Sequence, residues 1–290
     1  MATEASTAGT WLLGDTRVNR IGFGTLRLTG SGAFHRGTPL PHDRALAVLR
    51  RAVELGVNHI DTAAFYFSRL RSANELINSA LAPYPDDLVI ATKVGPARDA
   101  SGEWTDAAGP EQLRGQVEEN LRQLGRDHLD LVNLRVMGQE SIAEHFGALA
   151  DLRTAGLVRH LGVSGVRADQ LAEARAIAPV VCVQNRYGID DRGDDDLLRA
   201  CGEAGIAFVP YFSIAGAGRT TGSPAEERSA VLDVARALGA TPAQVRLAWT
   251  LHQGEHVLVI PGTGNPDHVA ENLAAGALRL DEAQLHLLDG

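Results

Sequence analysis

A closed barrel of eight parallel strands with helices outside it, entered through an N-terminal β-hairpin, is the fold this sequence predicts. Three observations carry the prediction. Short apolar strands alternate with amphipathic helices, about eight such units can be counted, and polar residues gather just past the strands' C-terminal ends. The alternation calls for a parallel sheet covered by helices. Eight units within 290 residues favour a single (β/α)8 TIM barrel domain spanning 1–290 over an open doubly wound sheet.

The first ten residues are small and polar and are expected to fray. Trp11 to Gly24 reads as a hairpin turning at Gly14-Asp15, followed by the strand I-G-F-G; Thr29 to Pro41 is a Gly- and Pro-rich loop. The first helix puts Leu46, Leu49 and Val53 on one face and stops at Gly56. A strand from Val57 to Ile60 follows, with the polar loop opening at Asp61. N-E-L-I-N-S-A-L leads into L-V-I-A-T-K, which ends on Lys93. Pro110 opens a helix with Leu113, Val117, Leu121 and Leu124 in phase, Gly125 closes it, and H-L-D-L-V-N-L-R is the next strand. Ser141 and Glu144 are spaced as a capping box ahead of Phe146, Leu149 and Leu152; Gly156 and then L-V-R-H-L-G-V-S follow. The remaining units deliver the strands V-V-C-V-Q, I-A-F-V-P-Y and V-L-V-I-P. Longer loops at Gly95 to Gly109 and Gly216 to Glu227 fall on the face where strands end, as substrate and cofactor walls would.

Composition narrows the function. Hydrophobic residues at 44% and charged residues at 22% exclude a disordered or fibrous chain. A net charge of -9 gives no general attraction to nucleic acid or an anionic membrane, so any anionic ligand needs a local cationic cluster. Cys182 and Cys201 lie in apolar segments without metal-like spacing and read as buried, reduced thiols, which implies the cytoplasm. The start of the chain has no secretory pattern, and no apolar run approaches membrane-spanning length. Oligomeric state is not legible. His252, His256 and His286 lack ligand spacing and read as surface or capping residues, and Asp190 to Asp196 resembles a calcium loop without its closing glutamate, so no metal is expected.

The chemistry gathers around G-V-N-H-I-D-T-A-A-F-Y. Asp61 is anionic, Lys93 is cationic, and Tyr66 is a phenol with an ordinary pKa near 10 that a neighbouring cation would lower. Such a trio makes a proton donor tuned towards pH 7; its bland alternative is a structural ion pair beside a core aromatic. Arg135, Ser164, Gln184 and Tyr211 also fall at strand ends, as members of one shared site would.

These motifs, with L-D-L-V-N-L, G-L-V-R-H-L-G-V-S, V-Q-N-R-Y and I-P-G-T-G-N-P-D-H-V-A-E-N, resemble the aldo-keto reductases from about Val18 to the C-terminus. The resemblance implies a barrel that binds NADPH and reduces an aldehyde or ketone, its small-molecule substrate, by hydride transfer. On that pattern Tyr66 matches the general acid, Lys93 the residue that lowers its pKa, and Asp61 the lysine's partner. Arg135 stands where the family usually has histidine, as in some of its branches; it suits a substrate oxygen or anionic group, or it weakens ordinary carbonyl reduction, and its bland alternative is an arginine paired with a carboxylate at the barrel rim. Ser164 and Gln184 match the residues that hold the nicotinamide carboxamide. Gly165 replaces a companion asparagine, so that contact is lost or passes to Asn185. Tyr211 matches the ring beneath the nicotinamide, and Phe212, Ser213, Ile214 and Gly216 the loop over the pyrophosphate. The turn with Gly24 and Thr25 lets backbone approach the cofactor. In the 2'-phosphate motif Gly262 replaces lysine, Thr263 keeps the hydroxyl and His268 replaces arginine, while Glu271 and Asn272 match the adenine contacts. NADPH is expected, with NADH possible. Two alternatives use the same site: a nicotinamide redox sensor with little turnover, and a redirected isomerase, dehydratase or cyclase. The family's C-terminal extension is missing, which suggests an open pocket. Trp104 and Phe67 suit a pocket wall and an apolar surface equally.

Overall fold

The structure is a computed structural model that describes residues 5–30, 39–99, 103–214 and 227–290. Strands β1 (Thr10–Leu13) and β2 (Thr16–Asn19) form the antiparallel hairpin, turning at Gly14 with φ +70°. Leu13 and Val18 of the hairpin join Val89, Leu131, Cys182 and Leu258 in one apolar cluster, so the hairpin plugs the floor of the barrel.

Seven parallel strands follow in sequential order: β3 (Phe23–Gly24), β4 (His59–Asp61), β5 (Val89–Val94), β6 (Leu129–Arg135), β7 (Val158–Ser164), β8 (Val180–Gln184) and β9 (Ala207–Phe208). The predicted eighth strand is reduced to two isolated bridges, Phe208 to Val257 and Ile21 to Val259, which still join the two edges of the curled sheet. Leu258 donates its N–H to the Phe208 carbonyl at 2.9 Å and Gly22 donates to the Val259 carbonyl at 2.8 Å. Pro261, which has no N–H, ends this run before a longer ladder can form.

The outer layer includes α1 (His42–Glu54), α2 (Ala73–Leu81), α3 (Leu113–Leu124), α4 (Ala143–Thr154), α5 (Ala168–Ile177), α6 (Asp195–Glu203), α7 (Ser229–Leu238), α8 (Pro242–His252), α9 (Pro266–Ala274) and α10 (Glu282–Asp289). Their apolar faces, for example Leu49, Val117 and Phe146, pack on outward strand residues such as Ile60, Ile90 and Val132. Two local expectations are corrected. Ala5–Ala8 is a 3-10 turn rather than a frayed end, because Ala5 is buried and donates its N–H to the Leu55 carbonyl at 2.9 Å. Ser141 does not form the capping box: its hydroxyl donates to Glu173 on α5 at 2.6 Å, and α4 begins after Ile142.

Strand register places the candidate residues at one end. Gly24 pairs with Asp61, and Arg135 pairs with Ser164, which pairs with Gln184. Gly125 (φ +63°) and Gly239 (φ +61°) close α3 and α7 in the left-handed region, as their glycines predict.

Candidate active site

At this end a cavity of about 460 Å³ opens, and Asp61, Tyr66, Lys93, Arg135, Ser164 and Gln184 all border it. Lys93 Nζ donates to both Asp61 oxygens, at 2.7 and 2.8 Å, and to the Thr62 carbonyl at 3.0 Å. Both partners are buried. Burial opposes the ammonium's charge, but Asp61 and Tyr66 together outweigh it and hold the Lys93 pKa above its ordinary value. The Lys93 nitrogen lies 4.9 Å from the centre of the Tyr66 ring.

The expected lowering of the Tyr66 pKa is reversed. Burial pushes the phenol up, Lys93 opposes this, and Asp61 cancels part of the lysine's effect. A neutralised lysine is a weak acidifier. The consequence is a phenol that stays protonated across neutral pH.

A buried relay behind the site fixes these loops. Thr25 Oγ1 lies 3.0 Å from both the Asp61 carbonyl and Thr62 Oγ1 and shares its one proton between these acceptors, while Thr62 Oγ1 donates to Asn74 at 2.8 Å. Asn74 donates in turn to Asn120 at 2.9 Å. The Thr25 hydroxyl is thus turned into the fold, and the relay pins the turn that carries Tyr66, whose carbonyl accepts the Ala73 N–H at 2.9 Å. Sequence reasoning missed Asn74 and Asn120, whose helical positions carry no motif.

Gln184 Nε2 donates to Asp61 Oδ1 at 2.7 Å, while Gln184 Oε1 is buried with no hydrogen-bond partner. An orphaned acceptor on a residue that borders a cavity calls for an N–H donor. The amide of a nicotinamide carboxamide is such a donor, so the residues present fit that group. Asn185 does not take over the missing asparagine's contact: its Oδ1 accepts from the Gly165 and Val166 N–H groups, and its Nδ2 donates to Val166 and Asp194.

Arg135 Nη1 donates to Tyr211 Oη at 3.0 Å and lies 3.5 Å from Ser164 Oγ. Gly165, at φ +69°, makes room for it, since a Cβ there would fall 2.3 Å from Nη1. Residues 135 and 165 are therefore in direct contact, and the guanidinium occupies the space a side chain at 165 would take.

Tyr211, Phe212, Ser213 and Ile214 border the cavity, and Phe212 adopts a left-handed φ of 64°, uncommon for an aromatic residue. Gly216 lies outside the described residues. Gly24 and Gly262 also border the cavity and pack backbone to backbone: a Cβ on Gly262 would fall 2.4 Å from the Gly24 carbonyl oxygen. Barrel closure thus leaves no space for a lysine at 262. Thr263 Oγ1 accepts the Asn265 N–H at 3.1 Å, and His268 is exposed in the first turn of α9. Glu271 accepts the Thr241 hydroxyl at 2.8 Å, securing the cap of α8, and Asn272 is buried. Thr25, Thr263, His268, Glu271 and Asn272 do not border the cavity. The sequence reading passed over Arg44, whose Nε donates to the Gly264 carbonyl at 2.8 Å and brings a guanidinium to this motif.

The cavity's walls are apolar. Trp104 belongs to them, with Phe65, Met137 and Leu26, which sequence reasoning missed although Phe65 adjoins Tyr66. Phe67 instead lies under Arg98, 4.1 Å from guanidinium carbon to ring centre. His256 is buried, with Nε2 2.9 Å from the Leu198 carbonyl, rather than a surface or capping residue. No helix among the described residues is long and apolar enough to cross a membrane.

Comparison with known proteins agrees with this geometry. The model of the aldo/keto reductase family matches residues 20–290. A pyridoxine 4-dehydrogenase of Escherichia coli (strain K12) is 45% identical over 290 residues, covering 98% of each chain. An uncharacterised oxidoreductase of Schizosaccharomyces pombe (strain 972) is 36% identical, over 99% of this chain and 91% of its own. The crystal structure of an aldo-keto reductase from Klebsiella pneumoniae in complex with NADPH superposes with a TM-score of 0.81 at 28% identity, covering 100% of this chain and 95% of that one. The chain belongs to the aldo/keto reductase family and is an NAD(P)H-dependent oxidoreductase.

Proposed function

We propose that the protein reduces an aldehyde to an alcohol with NADPH, using Tyr66 as the proton donor, and that pyridoxal is its first candidate substrate. The carrying observation is the closed Asp61–Lys93 pair facing Tyr66 beside the orphaned Gln184 oxygen. When bound, the reduced nicotinamide supplies hydride to the carbonyl carbon. Tyr66 gives its proton to the carbonyl oxygen as charge develops there, and Lys93 stabilises the phenolate left behind. Gln184, anchored through its Nε2 on Asp61, offers Oε1 to the carboxamide and so orients the ring. Tyr211 and Phe212 form a second wall for it. The pyridoxine 4-dehydrogenase relative supports pyridoxal, and the NADPH-bound relative supports the cofactor. Two free, buried cysteines are consistent with a cytoplasmic protein.

The test is NADPH oxidation with pyridoxal in wild type and Tyr66→Phe. Loss of the general acid lowers kcat by about 10²- to 10⁴-fold while the NADPH dissociation constant holds. Unchanged turnover removes Tyr66 from the chemistry and favours a nicotinamide sensor.

A further inference from the structure

Among the described residues the Arg135 guanidinium is a fixed cation without a counterion. Its two hydrogen bonds, to Tyr211 Oη at 3.0 Å and Ser164 Oγ at 3.5 Å, both leave from Nη1 and reach neutral hydroxyls. No carboxylate lies within ion-pairing distance of it among the described residues, and its Nε and Nη2 make no hydrogen bond there. The neighbouring charges cancel, because Lys93 is held by Asp61. Yet Arg135 borders an otherwise largely apolar cavity, and Arg27 is the other arginine at its lining. A guanidinium cannot shed its proton to relieve the cost of partial burial, so an arrangement like this is completed by an anion.

The aromatic part of the cavity wall favours a flat ring. Phe65 meets Tyr66 edge to face at 5.2 Å and Trp104 at 5.8 Å between ring centres. Tyr66, the proton donor, shares the cavity with Arg135, so a carbonyl oxygen on Tyr66 leaves the guanidinium free for a second oxygen on the same ring.

We propose that Arg135 binds an ionised ring oxygen ortho to the reacting aldehyde, making the protein selective for ortho-hydroxyaryl aldehydes. Gly165 is part of this device, since a side chain there would displace the guanidinium. This inference rests on the carbonyl reduction set out above and names the substrate class. Arg135 is then a specificity-determining residue, and histidine, neutral for much of the time at physiological pH, is a poorer receptor for a phenolate.

Three aldehydes differing at one position test it: 3-hydroxypyridine-4-carboxaldehyde, its 3-methoxy ether, and pyridine-4-carboxaldehyde. Wild type is expected to prefer the hydroxy compound over the ether by about tenfold or more in kcat/KM, the worth of one charge-assisted hydrogen bond. In Arg135→Met the preference falls to about twofold or less, and Arg135→Lys retains an intermediate value. Calorimetry on NADPH-loaded protein gives a readout without turnover: 3-hydroxyisonicotinamide binds about tenfold more weakly to Arg135→Met, while its 3-methoxy ether is unaffected. An unchanged NADPH dissociation constant shows that the variant is folded. Equal preference in wild type and Arg135→Met overturns the inference while leaving carbonyl reduction standing. Absence of NADPH binding and of turnover with all three aldehydes removes the underlying reading as well.

Discussion

Replacing Asp61 by Asn tests the electrostatic centre of the site with almost no change in volume. Asp61 Oδ1 accepts from Lys93 Nζ at 2.7 Å and Gln184 Nε2 at 2.7 Å, and Oδ2 accepts from Lys93 at 2.8 Å. Asparagine has one oxygen. If it keeps the place of Oδ1, its amide nitrogen faces the ammonium, donor against donor. Removing one partner of a buried pair leaves an uncompensated charge and costs about 3–5 kcal/mol, a large share of a stability on the order of 10 kcal/mol. Equilibrium urea unfolding at pH 7 reads this loss directly. The pH dependence carries the diagnostic sign. In wild type the Lys93 pKa is raised, so its contribution is complete below the unfolded value and is lost only as pH rises through the folded one. In Asp61→Asn the main opposition to burial is gone and the lysine is depressed, so stability climbs as pH rises from 7 towards about 10. Asp61→Asn combined with Lys93→Met recovers much of the loss, because no bare charge remains. A single-variant loss below about 1 kcal/mol, or a flat pH profile, refutes a closed buried pair.

Gly165→Ala combines a left-handed φ of +69° with a methyl placed 2.3 Å from Arg135 Nη1; it is expected to lower stability by about 1–2 kcal/mol in thermal unfolding and to erode the same substrate preference as Arg135→Met. His59 is buried beside Gly22, and burial lowers its pKa from 6.5 to about 4. Its depressed folded value means stability is complete above about 6.5 and drains as pH falls towards 4, by about 3 kcal/mol in all. Urea midpoints between pH 7.5 and 4 check this, and His59→Leu should flatten that part of the profile. Gln184→Leu keeps much of the bulk but removes the free acceptor, and the NADPH dissociation constant should rise about fivefold to tenfold by fluorescence titration.

The residues legible in the sequence are those whose position follows from periodicity and whose side chain announces its chemistry. Asp61 and Lys93 sit at the ends of apolar runs, so strand alternation alone brings them to one rim. The sign of the Tyr66 shift was not legible, because it depends on how far Asp61 neutralises the lysine and how deeply the phenol is buried, neither of which a linear spacing encodes. Asn185 misled for a related reason. It follows the matching Gln184, but its amide is spent on the Gly165–Val166 turn and Asp194, partners 9 to 20 residues away. The bridge-only eighth strand escaped because V-L-V-I is as apolar as any ladder strand, and only the partners' geometry and the following proline shorten the pairing.

Residues that depart from a family's usual pattern are informative in pairs. Taken singly, a glycine at 262 in place of lysine suggests lost affinity for a 2'-phosphate; taken with Gly24, it is the condition for two backbones to meet where the barrel closes. Arg44, remote in sequence and held by the Gly264 carbonyl, brings a guanidinium beside the same motif. The same logic joins Arg135 to Gly165 and Tyr211: the guanidinium takes its observed position because 165 has no side chain there and 211 supplies a hydroxyl acceptor. Replacing Arg135 by His alone therefore leaves a gap over Gly165 and removes the donor to the Tyr211 hydroxyl. The single replacement is expected to reduce activity on every aldehyde, and only the double variant Arg135→His with Gly165→Asn should recover turnover on substrates that lack the ortho oxygen. Recovery by the single change would show that the two positions are independent.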